Sequence, residues 1–270
     1  MTDITTQTIA KLVRELTSED LYDRFDAATL IGTHQVSGAA DALVARIGVE
    51  TDRQVQERIT WAAVQIIDAV LPGVLDKLKS DDPVASAQAA HVLSKAGRPE
   101  FAEHLVGLVA DANSDVAIKG YRAAANTGNT SVVPALADRL GDGSALQKDA
   151  LTNAMVTFGG ESVEALTAGL TSEDVAVRAH AAEALGHVGA DADLAVGALL
   201  AATADANESV RVVATSALGQ LGPVADAALA EVAGGDDPQL AAIASSLQES
   251  RAKLRDLEAK YAALRQANDA

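Results

Sequence analysis

Two stretches of this sequence repeat each other, and they decide the fold. Residues 174–189 read DVAVRAHAAEALGHVG, and residues 207–222, 33 positions later, read NESVRVVATSALGQLG. Both contain Val-Arg, five further residues, Ala-Leu-Gly, two further residues and a final glycine. A self-similar pattern with a period of about 20–50 residues is typical of solenoids. The chain is therefore predicted to be a stack of similar units.

The basic residue of this pattern can be followed along most of the chain. Aligned positions are Arg24, Arg58, Lys119, Lys148, Arg178 and Arg211, and one further copy has Ser86 in place of the basic residue. The steps between successive positions are 28 to 34 residues. An acid or amide often precedes the basic residue by four positions, as Asp174 precedes Arg178. An acid there suits the positive end of a helix and can pair with a base one turn later. We therefore interpret these arginines as structural elements rather than active-site residues.

Each unit is predicted to contain two helices. The first is rich in alanine and stops at a glycine, which suits the left-handed position after a helix; the glycines are Gly97, Gly128, Gly159, Gly189 and Gly222. The second is short, with one apolar stripe, and a loop rich in Asp and Ser then caps the next unit. No run alternates with the period of a strand. The predicted fold is all-α, an α-solenoid of about seven helical hairpins with a long C-terminal helix.

Residues 172–222 resemble the HEAT-like repeats of the phycobilin-lyase type, whose motif runs Asp-x-x-Val-Arg-x-x-Ala-x-x-Ala-Leu-Gly-x-x-Gly. Residues 18–171 carry the same pattern with substitutions. The resemblance implies the solenoid fold but not one function, because enzymes, enzyme activators and scaffolds share it. The iron-binding members, the deoxyhypusine hydroxylases, use His-Glu pairs as ligands. No His-Glu dipeptide occurs in this sequence.

Composition restricts the possible functions further. The chain has no cysteine and a net charge of −17, and no basic stripe that would bind nucleic acid. We expect a soluble, cytoplasmic protein with no membrane insertion and no cofactor. Residues 141–235 hold 13 acids and 3 bases. That acidic region is either a solvated surface, as in a cell with high internal salt, or a docking surface for a basic partner.

The two ends differ from the repeats. We divide the chain into a solenoid, residues 1–235, with a capping helix at 1–17, and a coiled-coil-like helix at 236–270. A heptad register places Leu240, Leu247, Leu254 and Tyr261 at a, and Ile243, Ser250, Leu257 and Leu264 at d. Either this helix caps the last repeat, or it projects from about residue 250 and pairs with another helix, which is either a second copy of the chain or a different protein; the first case would make a homodimer. Residues assigned to pairing are Leu247, Leu254, Leu257, Tyr261 and Leu264.

The sequence offers little catalytic chemistry. His180, Glu183 and His187 have helical spacing that would suit a metal, but His187 falls in a terminal turn and His180 at a variable repeat position. No Gly-x-Ser-x-Gly turn or phosphate-binding glycine loop is present. We assign no catalytic, cofactor-binding or metal-ligating residue.

These observations favour a non-enzymatic scaffold or adaptor that binds a partner protein through the solenoid groove, the C-terminal helix or both. The polar residues of the second helices are expected to face the inner surface and contact the partner. They are Arg46, Asp76, Lys77, Glu103, His104, Asp138, Arg139 and Glu164. The alternative, implied by the resemblance, is a lyase-like or chromophore-handling factor, and a signalling adaptor is a third possibility.

Overall fold

The computed structural model describes residues 6–268, with 263, 264 and 266–268 described by their backbone alone. Helix α1 spans Thr6–Glu15. Seven helical hairpins follow, and a long helix ends the described chain. The hairpins are α2 Leu21–Thr33 with α3 Ala40–Arg46, α4 Arg53–Gln65 with α5 Ile67–Leu78, α6 Pro83–Ala96 with α7 Ala102–Val109, α8 Ser114–Asn126 with α9 Val133–Ala137, α10 Ala145–Thr157 with α11 Val163–Gly169, α12 Val175–Val188 with α13 Val196–Ala202, and α14 Glu208–Gln220 with α15 Asp226–Ala233. The last helix, α16, spans Pro238–Asn268.

The prediction of an all-α solenoid with about seven hairpins and a long final helix is confirmed. The chain forms two compact units, Met1–Ala135 and Leu136–Ala270. In the first unit, α1 packs on α2, and the first helices α2, α4, α6 and α8 pack on one another in order. In the second unit, α10, α12 and α14 do the same, and α16 packs on α14 and α15. Thus α16 begins in the place that the next first helix would take.

The polar residues that precede each first helix explain where these helices begin. A side-chain oxygen accepts a hydrogen bond from a backbone N–H of the first turn in all seven cases, which satisfies a donor that the helix itself cannot pair. The capping residues are Asp20, Asp52, Asp82, Asn113, Ser144, Asp174 and Asn207. The five glycines predicted to end first helices all have a positive φ, between 52° and 82°, which a residue with a Cβ rarely adopts.

Small apolar side chains fill the spaces between helices. Ala27, Ala28, Ala181 and Ala182 are wholly buried, and they allow neighbouring first helices to approach closely. Leucines such as Leu185 are also wholly buried. Each buried leucine contributes about 1.5–3 kcal/mol relative to an exposed one, so stability is distributed along the stack rather than held in one central core.

The partner predicted for the repeated arginines is wrong. Arg178 does not pair with Asp174 but with Asp205 of the next hairpin, through Nε and Nη2 at 2.7 and 3.0 Å. Its Nη1 donates back to the carbonyls of Ser172 and Glu173. Arg211 reaches Asp237 in the same way, at 3.6 Å. Each arginine therefore joins two loops. One is the loop just before its own helix, and the other is the loop that follows the second helix of the same hairpin.

Residues Val175–Ala202 are, by length and composition, apolar enough to cross a membrane. The structure divides this segment at Gly189 into α12 and α13. Helix α12 packs against α10 and α14, and Ala181, Ala182, Ala184 and Leu185 are buried. The apolar side chains of this segment therefore pack between neighbouring repeats.

Candidate partner-binding surfaces

A groove of about 470 Å³ crosses three consecutive first helices of the first unit. Its lining residues recur at each turn of α4, α6 and α8, every three or four positions, so each helix presents one face to the groove. They are Arg53, Gln56, Glu57 and Thr60 from α4, Val84, Ala87, Gln88, His91 and Ser94 from α6, and Ile118, Lys119 and Arg122 from α8. The groove is therefore built from first helices, whereas the sequence prediction placed the binding surface on second helices.

The charge of this groove is opposite to that of the chain. Arg53, Lys119 and Arg122 are exposed, and within the described chain none has a carboxylate within 4.0 Å. The one carboxylate in the lining, Glu57, lies 3.4 Å from the Nε2 atom of His91. Three cations and one carboxylate give a formal charge of +2 in a chain of net charge −17.

The eight polar residues predicted from the second helices are divided between the two compact units. Asp76, Glu103, Asp138 and Glu164 are exposed, and the other four are partly buried. The helix bounds also differ from the prediction, because α9 ends at Ala137 and leaves Asp138 and Arg139 in the turn that follows. In the first unit, His104 lines a cavity of about 490 Å³ between the loops before α6 and α8.

Arg46 is used inside the chain. Its Nη2 donates to Glu50 Oε2 at 2.6 Å, and Arg24 donates to both oxygens of the same carboxylate at 2.8 and 3.0 Å. The backbone N–H groups of Thr51 and Asp52 also donate to Glu50, whose side chain is 1% exposed. Burial alone would raise the pKa of Glu50, but these hydrogen bonds outweigh it and hold the pKa at about 2. Glu50 is thus a buried connection between the first two hairpins.

His180 also has a structural role. Its ring is buried, and its Nδ1 accepts a hydrogen bond from the backbone N–H of Gly141 at 3.0 Å. The proton then lies on Nε2, which donates to Thr152 Oγ1 at 2.9 Å. Burial lowers the pKa of His180, and the charge of Lys148 lowers it further. His180 therefore stays neutral and joins α12 to α10 and the loop before it.

The three residues considered as metal ligands are not brought together. His180 is buried while Glu183 and His187 are exposed. Over residues 6–268, no group of three or more His, Asp or Glu side chains has an arrangement that would hold a metal ion.

The first half of α16 is docked on the last hairpin. Leu240 and Ala244 are buried, and Leu247 lies so close to Gly219 that a Cβ there would fall 2.7 Å from Leu247 Cδ1. Arg251 donates to Asp226 at 2.5 Å and to the carbonyls of Leu218 and Gly219 at the end of α14. These bonds satisfy carbonyls that a helix leaves unpaired at its C-terminus, so Arg251 marks the end of the docked half.

The second half of α16 leaves the repeats. Every residue from 252 to 262 is exposed. Among the side chains that the structure describes, Arg255 makes the last ion pair with the hairpins, at 2.9 Å to Asp226. Leu254, Leu257 and Tyr261 are 55%, 49% and 60% exposed and share one face by their spacing of three and four. Leu247 belongs to the docked half, and the side chain of Leu264 lies outside the described residues. The first half therefore caps the last repeat, and the pairing of the second half with another helix stays a prediction.

Sequence reasoning missed two features. The acidic partners of the repeated arginines have a recognisable register, since Glu50 and Asp205 each stand two residues before a helix cap, Asp52 and Asn207. An acid two residues before a helix cap could therefore have identified the partners of these arginines. The groove had no comparable signal, because its residues come from three helices that only packing brings side by side.

The comparisons with known proteins agree with this architecture. Residues 163–248 match the family model of HEAT repeats, which spans α11 to α15 and most of the docked half of α16. The match covers 86 of the 270 residues and shows that this part of the chain is similar to HEAT repeats. A comparison of the sequence with curated proteins gave no match.

Solved structures show the same fold at low identity. The Kap95:Nup1 complex contains a chain that is 12% identical, with a TM-score of 0.56 over 90% of this chain and 40% of that one. A Kap95p structure with RanGDP is 13% identical, with a TM-score of 0.55 over 89% and 39%. The complex of CpcE and CpcF of phycocyanin lyase from Nostoc is 22% identical over 93% and 97%, but its TM-score of 0.42 supports no argument. The chain therefore has an α-solenoid fold like that of these solved structures.

Proposed function

We propose that this protein is a non-enzymatic adaptor whose HEAT repeats bind a partner protein and whose free helical end recruits a second helix. The observation that carries the proposal is the exposed half of α16. An isolated helix with no neighbour gains nothing by placing leucines and a tyrosine on one face. The same face is what a partner helix would cover.

The geometry of the free half suits helix pairing. Residues 252–268 make up 17 residues of continuous helix, or roughly 26 Å at ~1.5 Å per residue. Leu254, Leu257 and Tyr261 recur at a and d positions, and Lys253 and Lys260 flank them. Between two and three heptads is short for an independent coiled coil. The docked half compensates for this short length, because its contacts with the last hairpin keep α16 helical before a partner binds.

The repeats supply the second part of the proposal. Solenoid repeats present long surfaces made of many similar helices. In addition to the groove on the first helices, the exposed carboxylates Asp76, Glu103, Asp138 and Glu164 are candidates for contact with a partner. Arg46 is excluded from that role because Glu50 already uses its guanidinium.

The test uses the full chain with substitutions in the free half. A triple variant, Leu254→Gln, Leu257→Gln and Tyr261→Gln, removes the apolar face. A matched variant, Ala252→Gln and Ala259→Gln, changes the other side of the same helix. Sedimentation gives the mass of each protein, and pull-down from the native lysate gives its partners.

We expect the triple variant to lose either a dimeric mass or a specific partner that the wild-type and matched variants keep. A dimer would identify the second helix as another copy of this chain, and a retained monomer with a lost partner would identify a different protein. Equal masses and equal recovered proteins for all three chains would contradict the role of the free half.

A further inference from the structure

We infer that the groove across α4, α6 and α8 binds an acidic, extended peptide segment of a partner protein. The inference rests on the proposed adaptor function and specifies the chemistry of one of its surfaces. It depends on charge, on the depth and lining of the groove, and on the spacing between helices.

The charge argument comes from cations that lack carboxylates nearby. The chain has 38 acidic residues and 21 Lys and Arg, so three cations that line one groove stand out against the charge of the chain. Elsewhere in the same unit, Arg24 and Arg46 share Glu50, and Arg98 pairs with Asp68 at 2.6 Å. Arg53, Lys119 and Arg122 line the groove, and among the described residues no carboxylate lies within 4.0 Å of them. Anionic groups that enter the groove are attracted to these cations.

The lining favours a peptide over a bare anion. Ala87 is buried and Ile118 half-buried at the base of the groove, and Val84 is 56% exposed. Thr60 is 3% exposed, and its Oγ1 lacks a hydrogen-bond partner among the described residues. Such a hydroxyl costs stability unless something pairs with it. Apolar contacts beside polar groups and cations suit a polypeptide with carboxylate side chains.

Nucleic acid fits less well. Its affinity comes mainly from many phosphate contacts that release counterions, and this groove offers three cations. Glu57 lies among them, and the chain as a whole carries a charge of −17. A protein segment with a few carboxylates is repelled less than a polyphosphate and can use the apolar base.

The spacing of the helices predicts the spacing of the acids. Packed helices lie about 8–10 Å apart, so α4 and α8 are separated by about 16–20 Å across α6. An extended chain advances about 3.3 Å per residue. Carboxylates about five or six residues apart would therefore meet Arg53 on α4 and Lys119 or Arg122 on α8. A residue midway between them would lie over α6, near His91.

The experiment measures fluorescence anisotropy of labelled peptides with the full-length protein. The peptides carry two glutamate pairs separated by two to eight residues of Ser and Ala, and each has a counterpart with glutamine. A single-stranded oligonucleotide of equal charge is the third probe. The variants are Arg53→Gln with Arg122→Gln in the groove, and Lys79→Gln with Lys95→Gln, which makes the same charge change at exposed positions outside it.

We expect binding that is strongest at five or six residues of separation and absent for the glutamine peptides. The groove variant should weaken it at least tenfold, and the matched variant by less than twofold. Equal weakening by both variants, no preference for glutamate, or tighter groove-dependent binding of the oligonucleotide would each overturn the inference. The free half of α16 is intact in all these proteins. A partner that is recovered with the wild-type chain and lost with the α16 triple variant would therefore still support the adaptor function.

Discussion

Replacing the buried carboxylate of Glu50 is expected to destabilise the first unit strongly. Glu50→Gln keeps the shape of the side chain but leaves Arg24 and Arg46 without their shared counter-charge. The difference between the ordinary pKa of 4.5 and the value of about 2 in the folded chain corresponds to about 3 kcal/mol. Breaking a buried ion pair from one side typically costs about 3–5 kcal/mol. We therefore expect a loss of about 3 kcal/mol in the free energy of unfolding at pH 7.

The dependence on pH gives a second, independent test. Because folding lowers the pKa of Glu50, its contribution is fully present above pH 4.5 and is lost as the pH falls towards about 2. The wild-type chain should therefore lose its advantage over the variant on acidification. By linkage, the difference shrinks by about 2 kcal/mol between pH 7 and pH 3.

Urea unfolding followed by circular dichroism measures these differences, and amide hydrogen exchange locates them. Exchange should accelerate in α2, α3 and α4 and stay unchanged in the second unit. Glu103→Gln is the control, because it makes the same chemical change on a side chain that is 79% exposed, and it should cost less than about 0.5 kcal/mol. A cost below about 1 kcal/mol for Glu50→Gln, or a difference that does not vary with pH, would refute the reasoning.

Three further predictions concern the second unit. Gly219→Ala should loosen the docked half of α16, because the new Cβ meets the side chain of Leu247. Amide hydrogen exchange in the docked half should then become faster. The control is Gly197→Ala, whose new Cβ faces open space, and it should leave the exchange rate of the docked half unchanged. Lowering the pH below 6.5 should destabilise this unit, because unfolding frees His180 to take a proton that its folded site resists; an NMR titration showing an ordinary imidazole would contradict this. Asp205→Asn should cost about 2 kcal/mol in urea unfolding by weakening its charged hydrogen bonds with Arg178, whereas Asp193→Asn, at an exposed site, should cost almost nothing.

The sequence predicted the local features of this fold well. Helix starts at Asp174 and Asn207 and stops at Gly189 and Gly222 follow from hydrogen bonds and backbone angles within a few residues. Such rules need no knowledge of the rest of the chain. The count of hairpins followed in turn from the period of the repeat.

Contacts between repeats were harder to predict. Arg24 and Glu50 are 26 residues apart, and the local rule wrongly favoured an acid four residues away. The same limit applies to α16, whose heptad pattern is uniform although its two halves have different surroundings. Only the packing of Leu247 on Gly219 and the bonds of Arg251 show where the docked half ends.

The continuity of α16 has a mechanical consequence. The helix runs from Pro238 to Asn268 without an internal glycine or proline. It therefore behaves as a stiff rod that is held at Arg251 and extends beyond it. A sideways load on the far end would be borne first by the bonds of Arg251 and Arg255 to Asp226. Cargo attached to that end would keep a fixed orientation instead of swinging as on a tether. If those bonds broke, the load would pass to the contact between Leu247 and Gly219.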